Sequence, residues 1–203
     1  FYKVEDARVV VIPHGPLSLS FPKKASLEMK DPLFFYLGRL EAKKNLGVLL
    51  DAFKLVQKKY STARLVLAGR EGYGWSSLEE KASKQKGAEV VGFLPETAVA
   101  ELYQSSTAFI FPSLEDGFGF PLLQAFQAGC PVVCSDLPVL HEVGGDSVLY
   151  ADAHDAKAFA KHMIKLIEEP ESAAVLTLKG KKRLEHFSWE KAAKTLAEEF
   201  YSS

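Results

Sequence analysis

The chain has 203 residues and a net charge of −1, with 47% of its residues hydrophobic and 25% charged. That composition suits a soluble protein with one substantial core, and it gives no electrostatic basis for binding nucleic acid. No apolar run approaches the roughly 18–20 residues that span a bilayer, and the opening FYKVEDARVV lacks the basic region and apolar stretch of a secretory leader.

Short β-rich runs alternate with helical periods along the chain. VVVIP at 9–13 predicts a first strand, and the weakly periodic stretch 14–31 reads as a connecting loop. PLFFYLG at 32–38 predicts a second strand. A helix over 46–59 follows, with Leu49, Ala52, Phe53 and Val56 on one apolar face. ARLVLAG at 63–69 is the next strand, and residues 76–85, which open on serines, read as a helix. AEVVGFL at 88–94, a helix over 96–104 and TAFIFPS at 107–113 continue the pattern. A helix over 121–128 opens on Pro121, a residue favoured in a first turn. PVVCS at 131–135, a short SVLY strand and helices over 155–168, 171–186 and 189–201 complete the chain.

Most of the strand runs are continuously apolar, as strands buried on both faces are. The alternation predicts an α/β fold: a Rossmann-like parallel sheet of about six strands with helices on both faces. The whole chain, 1–203, is expected to be a single domain, with the core over 9–186 and a C-terminal helix over 187–201. Cys130 and Cys134, about 13 Å apart along a strand at ~3.3 Å per residue, are too distant for a disulfide and fit a reducing cytoplasm.

Ligands of such sheets bind beyond the carboxyl ends of the strands, so the loops there carry the chemistry. After the second run comes GRLEAKKN, in which Arg39 and Lys44 flank the start of a helix. A helix N-terminus attracts phosphate; Arg39 adds a bidentate fork and Lys44 a point charge. The same residues also read as a solvated turn with surface cations. After the fifth run comes SLEDGFGFPLLQAF, where two glycines allow close backbone approach and N–H groups from about 119 to 122 point at a ligand. Asp116 lies before those groups and Gln124 about one turn into the helix, acceptors suited to sugar hydroxyls. An Asp-Gly turn ahead of a capped helix is the plainer reading.

The second of these segments resembles the Glu-Gly-Phe-Gly-Leu-Pro-x-Leu-Glu-Ala signature of retaining family 4 (group 1) glycosyltransferases with the GT-B fold. GRLEAKKN is similar to that family's phosphate-binding Arg and Lys. VGFLPETAVAELYQSSTAFIFPS, AGCPVVCSDLPVLHEVGGDSVLYADAHD and FSWEKAAK resemble its later segments in order. The resemblance runs from about residue 9 to the C-terminus. It implies that the chain is the donor-binding half of a hexosyltransferase, a mannosyl- or glucosyltransferase of polysaccharide or glycoconjugate synthesis. The donor would be a UDP- or GDP-sugar, with no further cofactor and no metal. Transfer would retain anomeric configuration by front-face displacement, the leaving diphosphate helping to deprotonate the acceptor.

By the same resemblance, Arg39 and Lys44 would hold the diphosphate beside Gly38, and Asp116 would contact the transferred sugar. Gly117, Phe118, Gly119 and Phe120 would present backbone to the phosphate or sugar, and Gln124 would grip the ribose. Gly92, Phe93 and Leu94 would frame the base, next to Gly69 and Arg70. The family's two signature Glu residues are replaced here by Asp116 and Gln124, which predicts weaker donor binding or a different donor. The acceptor, a sugar or lipid-linked saccharide, would bind mainly to an N-terminal domain not found in this sequence and supplied in cis or in trans. The isolated chain would bind nucleotide without transferring sugar. A catalytically silent binding module and a nucleotide-sugar epimerase are the alternatives.

Other features read as ordinary structure. Glu115–Asp116 lacks the spacing of a metal pair, and GREGYG has the wrong order for a dinucleotide fingerprint. Lys157, Lys161 and Lys165 form a solvated stripe, with peripheral membrane contact the lesser reading; the chain is otherwise expected to be cytoplasmic. His14 and His141 read as loop residues.

Overall fold

A computed structural model of the chain describes residues 9–17, 19–21 and 31–201. Six strands form one sheet: β1 (Leu33–Leu37), β2 (Arg64–Ala68), β3 (Ala88–Gly92), β4 (Ala108–Phe111), β5 (Val132–Ser135) and β6 (Leu149–Ala151). Their order is β3-β2-β1-β4-β5-β6 and every pairing is parallel. Phe34 of β1 aligns with both Leu65 of β2 and Ala108 of β4, so β1 sits in the centre.

The continuous apolar runs form the central strands because both faces of the sheet are covered. Phe34, Phe35, Tyr36, Phe109 and Ile110 have no exposed surface. Phe35 lies edge-on to Tyr103 at 5.0 Å and to Phe109 at 5.9 Å, a geometry that adds about 0.5–1.5 kcal/mol per pair beyond burial.

The helices are α1 (Leu46–Gln57), α2 (Ser76–Lys84), α3 (Glu96–Ser105), α4 (Phe120–Ala128), α5 (Pro138–Gly144), α6 (Ala156–Glu168), α7 (Pro170–Leu184) and α8 (Trp189–Tyr201). On one face α1 packs against α2 and α6; on the other α4 packs against α3 and α7. Asp155 caps α6, its carboxylate accepting N–H groups from Lys157 at 2.8 Å and Ala158 at 3.0 Å. Such a cap stabilises a helix by about 1 kcal/mol.

Two expectations need correction. The strand expected over 9–13 does not form; those residues are irregular, and Val9, Val10 and Val11 are exposed. A strand needs a neighbour, and none of the described strands pairs with this segment; the residues just after it, 14–16, lie against Trp189 at the start of α8. The short SVLY strand takes the sixth place as β6. His141, expected in a loop, lies in helix α5, whose seven residues are too few to display a helical period. Residues 18 and 22–30 of the expected 14–31 loop lie outside the described residues.

Strand order reverses between β1 and β4, so their connections leave in opposite directions and open a crevice at the carboxyl edge. The loops after β1 and β4 form its two walls.

Candidate functional site

The loops that follow β1 and β2 run side by side past the end of the sheet. Gly38 N–H donates to Ala68 O at 3.0 Å, Leu40 N–H to Arg70 O at 2.8 Å, and Gly72 N–H to Leu40 O at 2.8 Å. This close passage demands glycine at 69. A Cβ there would lie 1.7 Å from Gly38 O, and the backbone φ is +147°.

Lys44 directly precedes Asn45, the N-cap of α1, as the sequence spacing predicts. Ala42–Lys44 form a short 3-10 turn, and Asn45 follows in the left-handed conformation at φ 57°. Asn45 donates through Nδ2 to Pro112 O at 3.0 Å and to Ala153 O at 2.6 Å. Leu114 N–H donates to Lys43 O at 2.9 Å. One residue thereby ties the loops after β1, β4 and β6 together, which fixes the crevice walls.

Lys44 reaches across the crevice. Its Nζ lies 2.6 Å from Asp116 Oδ2, with side chains only 14% and 12% exposed, and 5.4 Å from the centre of the Phe111 ring. The other oxygen, Asp116 Oδ1, accepts the Phe118 N–H at 3.3 Å. Arg39, by contrast, is 67% exposed, and its Nε lies 3.6 Å from Glu41, which Lys43 shares at 3.6 Å. Tyr36 supports the loop from below by donating its hydroxyl to Arg39 O at 2.9 Å. Burial, and then the charges of Glu41 and Asp116, push the Tyr36 phenol far up, so it remains a donor.

The signature loop leads into α4, with Gly119 as the left-handed N-cap at φ 94°. Of the N–H groups expected over 119–122, Pro121 has none and that of Leu122 donates to Gly119 O at 2.9 Å. Gly119 and Phe120 are the first-turn positions left to present N–H groups to an anion. A Cβ placed on Gly117 would meet nothing within 4 Å, so its backbone faces open space.

Gln124 is turned inward. It is 7% exposed, and its Oε1 lies 3.4 Å from the hydroxyl of Tyr103, which also reaches Pro121 O at 3.2 Å.

On the β2–β3 side, the Arg70 guanidinium sits 4.8 Å from the centre of the Phe93 ring. A cavity of about 680 Å³ is lined there by Gly69, Arg70, Gly92 and Phe93, with Trp75 and Glu79 of the α2 side. A second, of about 520 Å³, adds Gly38 and Arg39 to Gly69, Arg70 and Phe93. Leu94 lines neither and packs against the core.

The structure thus gathers Gly38, Arg39, Gly69, Arg70, Gly92 and Phe93 around adjoining cavities, and pairs Lys44 with Asp116. Among the described residues, no group of three or more His, Cys, Asp or Glu could hold a metal ion. His14 is more than a bland loop residue. Its ring lies 5.1 Å from Phe118, 5.5 Å from Phe120 and 5.4 Å from Trp189. Trp189 in turn donates its indole N–H to Pro16 O at 3.0 Å. No sequence signal marks this cluster, because it joins segments far apart in the chain.

A family model described as "Glycosyl transferases group 1" matches residues 20–183. The chain belongs to this family. It is 32% identical over 160 residues to O-antigen chain mannosyltransferase B of Escherichia coli, covering 76% of this chain and 42% of that protein. It is 30% identical over 188 residues to the D-inositol 3-phosphate glycosyltransferase of Rhodococcus jostii, covering 87% and 42%. Among solved structures, sucrose-phosphate synthase from Thermosynechococcus elongatus superposes with a TM-score of 0.76 at 22% identity, over 87% of this chain and 46% of that one. TarM superposes at 0.73 and 16% identity, over 93% and 37%. At those identities the likeness concerns the fold: this group 1 domain has the architecture of one Rossmann-like half of a GT-B glycosyltransferase. It spans less than half the length of each of these relatives. No helix among the described residues is long and apolar enough to cross a membrane.

Proposed function

We propose that this domain grips the nucleotide-sugar donor of a retaining hexosyltransferase, with the diphosphate seated in the crevice between the loops after β1 and β4. The observation that carries this reading is the convergence of Lys44, Asp116 and the Gly119–Phe120 turn at the switch point of the sheet. Arg39, exposed beside the second cavity, adds a fork for phosphate oxygens. Charge leaving with the diphosphate would be stabilised by Arg39, Lys44 and the start of α4, so the protein contributes position and electrostatics. A UDP- or GDP-sugar fits the role, and the mannosyltransferase relatives support a hexose.

The acceptor, a sugar or lipid-linked saccharide, belongs on a second domain acting in cis or in trans; the length of the relatives supports this. The isolated domain would then bind nucleotide without turnover. Buried cysteines that are not joined to each other suit a cytoplasmic setting. A silent nucleotide-binding module is the second reading. It is favoured by Gln124, which spends its oxygen on Tyr103 where the family signature has a carboxylate.

Titrating the chain with UDP, GDP and ADP by calorimetry tests the reading. Binding by at least one of them, weakened about ten- to a hundredfold in Arg39→Ala, is expected; no binding by any of the three would sink it. Turnover on restoring the rest of the relatives' length separates the transferase from the silent module.

A further inference from the structure

We propose that the base of the donor nucleotide is guanine, read by the carboxylates of Glu71 and Glu79 together with Arg70. The inference rests on the donor-site reading above and concerns the 680 Å³ cavity on the β2–β3 side. Three carboxylates line that cavity: Glu71, Glu79 and Glu89. Glu89 is engaged with Arg64 at 3.3 Å. Glu71 and Glu79 are exposed at the cavity's rim, and neither is in an ion pair among the described residues. The cation of the cavity is Arg70, held over the Phe93 ring, and Phe93 as a whole is 71% exposed.

This set of groups can be compared with each base in turn. Guanine presents two adjacent donors, N1–H and the exocyclic amino group, which a carboxylate accepts together. Its O6 and N7 accept from an arginine fork, the commonest specific contact to that base. Uracil presents one N–H between two carbonyl oxygens, so a carboxylate brought to that donor also faces two lone-pair-bearing atoms. Adenine places its amino donor beside a ring acceptor, which repels a carboxylate in the same way. A cavity with two unpaired carboxylates and one arginine therefore complements guanine on two edges and opposes the others on one. Glu71 lines both cavities, placing it between the base side and the Arg39 side; Glu79, on the first turns of α2, lines the base side alone.

The test measures dissociation constants of GDP, UDP and ADP for the whole chain and for the double variant Glu71→Gln, Glu79→Gln. GDP is expected to bind at least about tenfold more tightly than UDP or ADP to the unaltered chain. The double variant is expected to lose most of that preference while its affinity for UDP stays level or rises. UDP or ADP binding as tightly as GDP overturns the guanine assignment while leaving the donor site standing. A double variant that keeps the full preference overturns the role of the two carboxylates. Failure of all three nucleotides to bind overturns the donor-site reading itself.

Discussion

Lys44 Nζ and Asp116 Oδ2 stand 2.6 Å apart across the point where the sheet reverses its strand order. Each side chain is mostly withdrawn from water, so the pair is a charge-neutralised contact and not a surface ornament. A diphosphate arriving in the crevice must compete with Asp116 for the ammonium. Asp116→Asn removes the competitor's charge, and nucleoside diphosphate should bind more tightly, by as much as about tenfold, or ~1.4 kcal/mol. Lys44→Ala should weaken binding and also destabilise the fold by about 1–3 kcal/mol, because it strands a largely buried carboxylate. Calorimetric titration with GDP and urea unfolding of both variants check the pair; equal nucleotide affinity in Asp116→Asn and the unaltered chain would refute the competition.

Arg39 should behave differently. Its guanidinium is 67% exposed and its 3.6 Å approach to Glu41 is a surface ion pair, a kind that contributes little to stability. Arg39→Ala should therefore leave the urea midpoint nearly unmoved. Loss of a charge-assisted contact to phosphate should cost about 1.5–3 kcal/mol of nucleotide binding, or about ten- to a hundredfold. A variant that unfolds early but binds normally would show that Arg39 is structural.

The sequence made the sheet legible through its central strands and misled at the margin. LFFYL and AFIF read as buried strands and are, because each lies between two neighbours. VVVIP is just as apolar but has no strand beside it among the described residues, and composition cannot report the absence of a partner. The chemistry-bearing residues were visible as types, whereas their pairings were not. That Lys44 would meet Asp116, that Asn45 would tie three loops, and that Gln124 would turn toward Tyr103 are all consequences of contacts distant in the chain. His14 is legible as a loop residue but not as part of a cluster, since its contacts are with Phe118, Phe120 and Trp189.

The two glycines of greatest contrast make a paired test. A methyl on Gly69 would strike Gly38 O at 1.7 Å, at a φ that side chains rarely adopt, so Gly69→Ala should cost more than about 2 kcal/mol of stability. Gly117 has nothing within 4 Å of the corresponding position, so Gly117→Ala should change stability by less than about 0.5 kcal/mol. If Gly117 lines the donor, its alanine variant should nevertheless bind nucleotide more weakly. Melting curves with and without nucleotide separate the two effects, and an unstable Gly117→Ala would contradict the open space beside it.

His14 packs with Phe118, Phe120 and Trp189, and the two phenylalanines flank the N-cap of α4. Removing the ring should loosen that turn and weaken nucleotide binding several-fold, while His14→Phe, which keeps an aromatic ring, should restore it. Trp189 is half exposed beside His14, so its emission should shift in His14→Ala. Equal affinity in the alanine and phenylalanine variants would show that the cluster does not hold the donor turn.

His162 should give the fold a measurable acid sensitivity. One ring nitrogen, Nε2, lies 3.0 Å from Tyr150 O, to which it donates, and the other, Nδ1, is buried with no partner among the described residues. Burial holds the imidazole below its usual value of 6.5; Lys161 and Lys165 push the same way, and the contact with Tyr150 O opposes them. The folded chain therefore favours neutral His162, and a proton added at Nδ1 would point an N–H at no acceptor. A base with a lowered folded value contributes its stability above the unfolded value, and that stability fades as pH falls through the folded one. Urea unfolding should thus show a declining midpoint from pH 7 downward through about pH 6 and 5. His162→Gln, which keeps a donor for Tyr150 O but cannot titrate, should flatten that decline. An unchanged slope in the variant would assign the acid sensitivity to other groups.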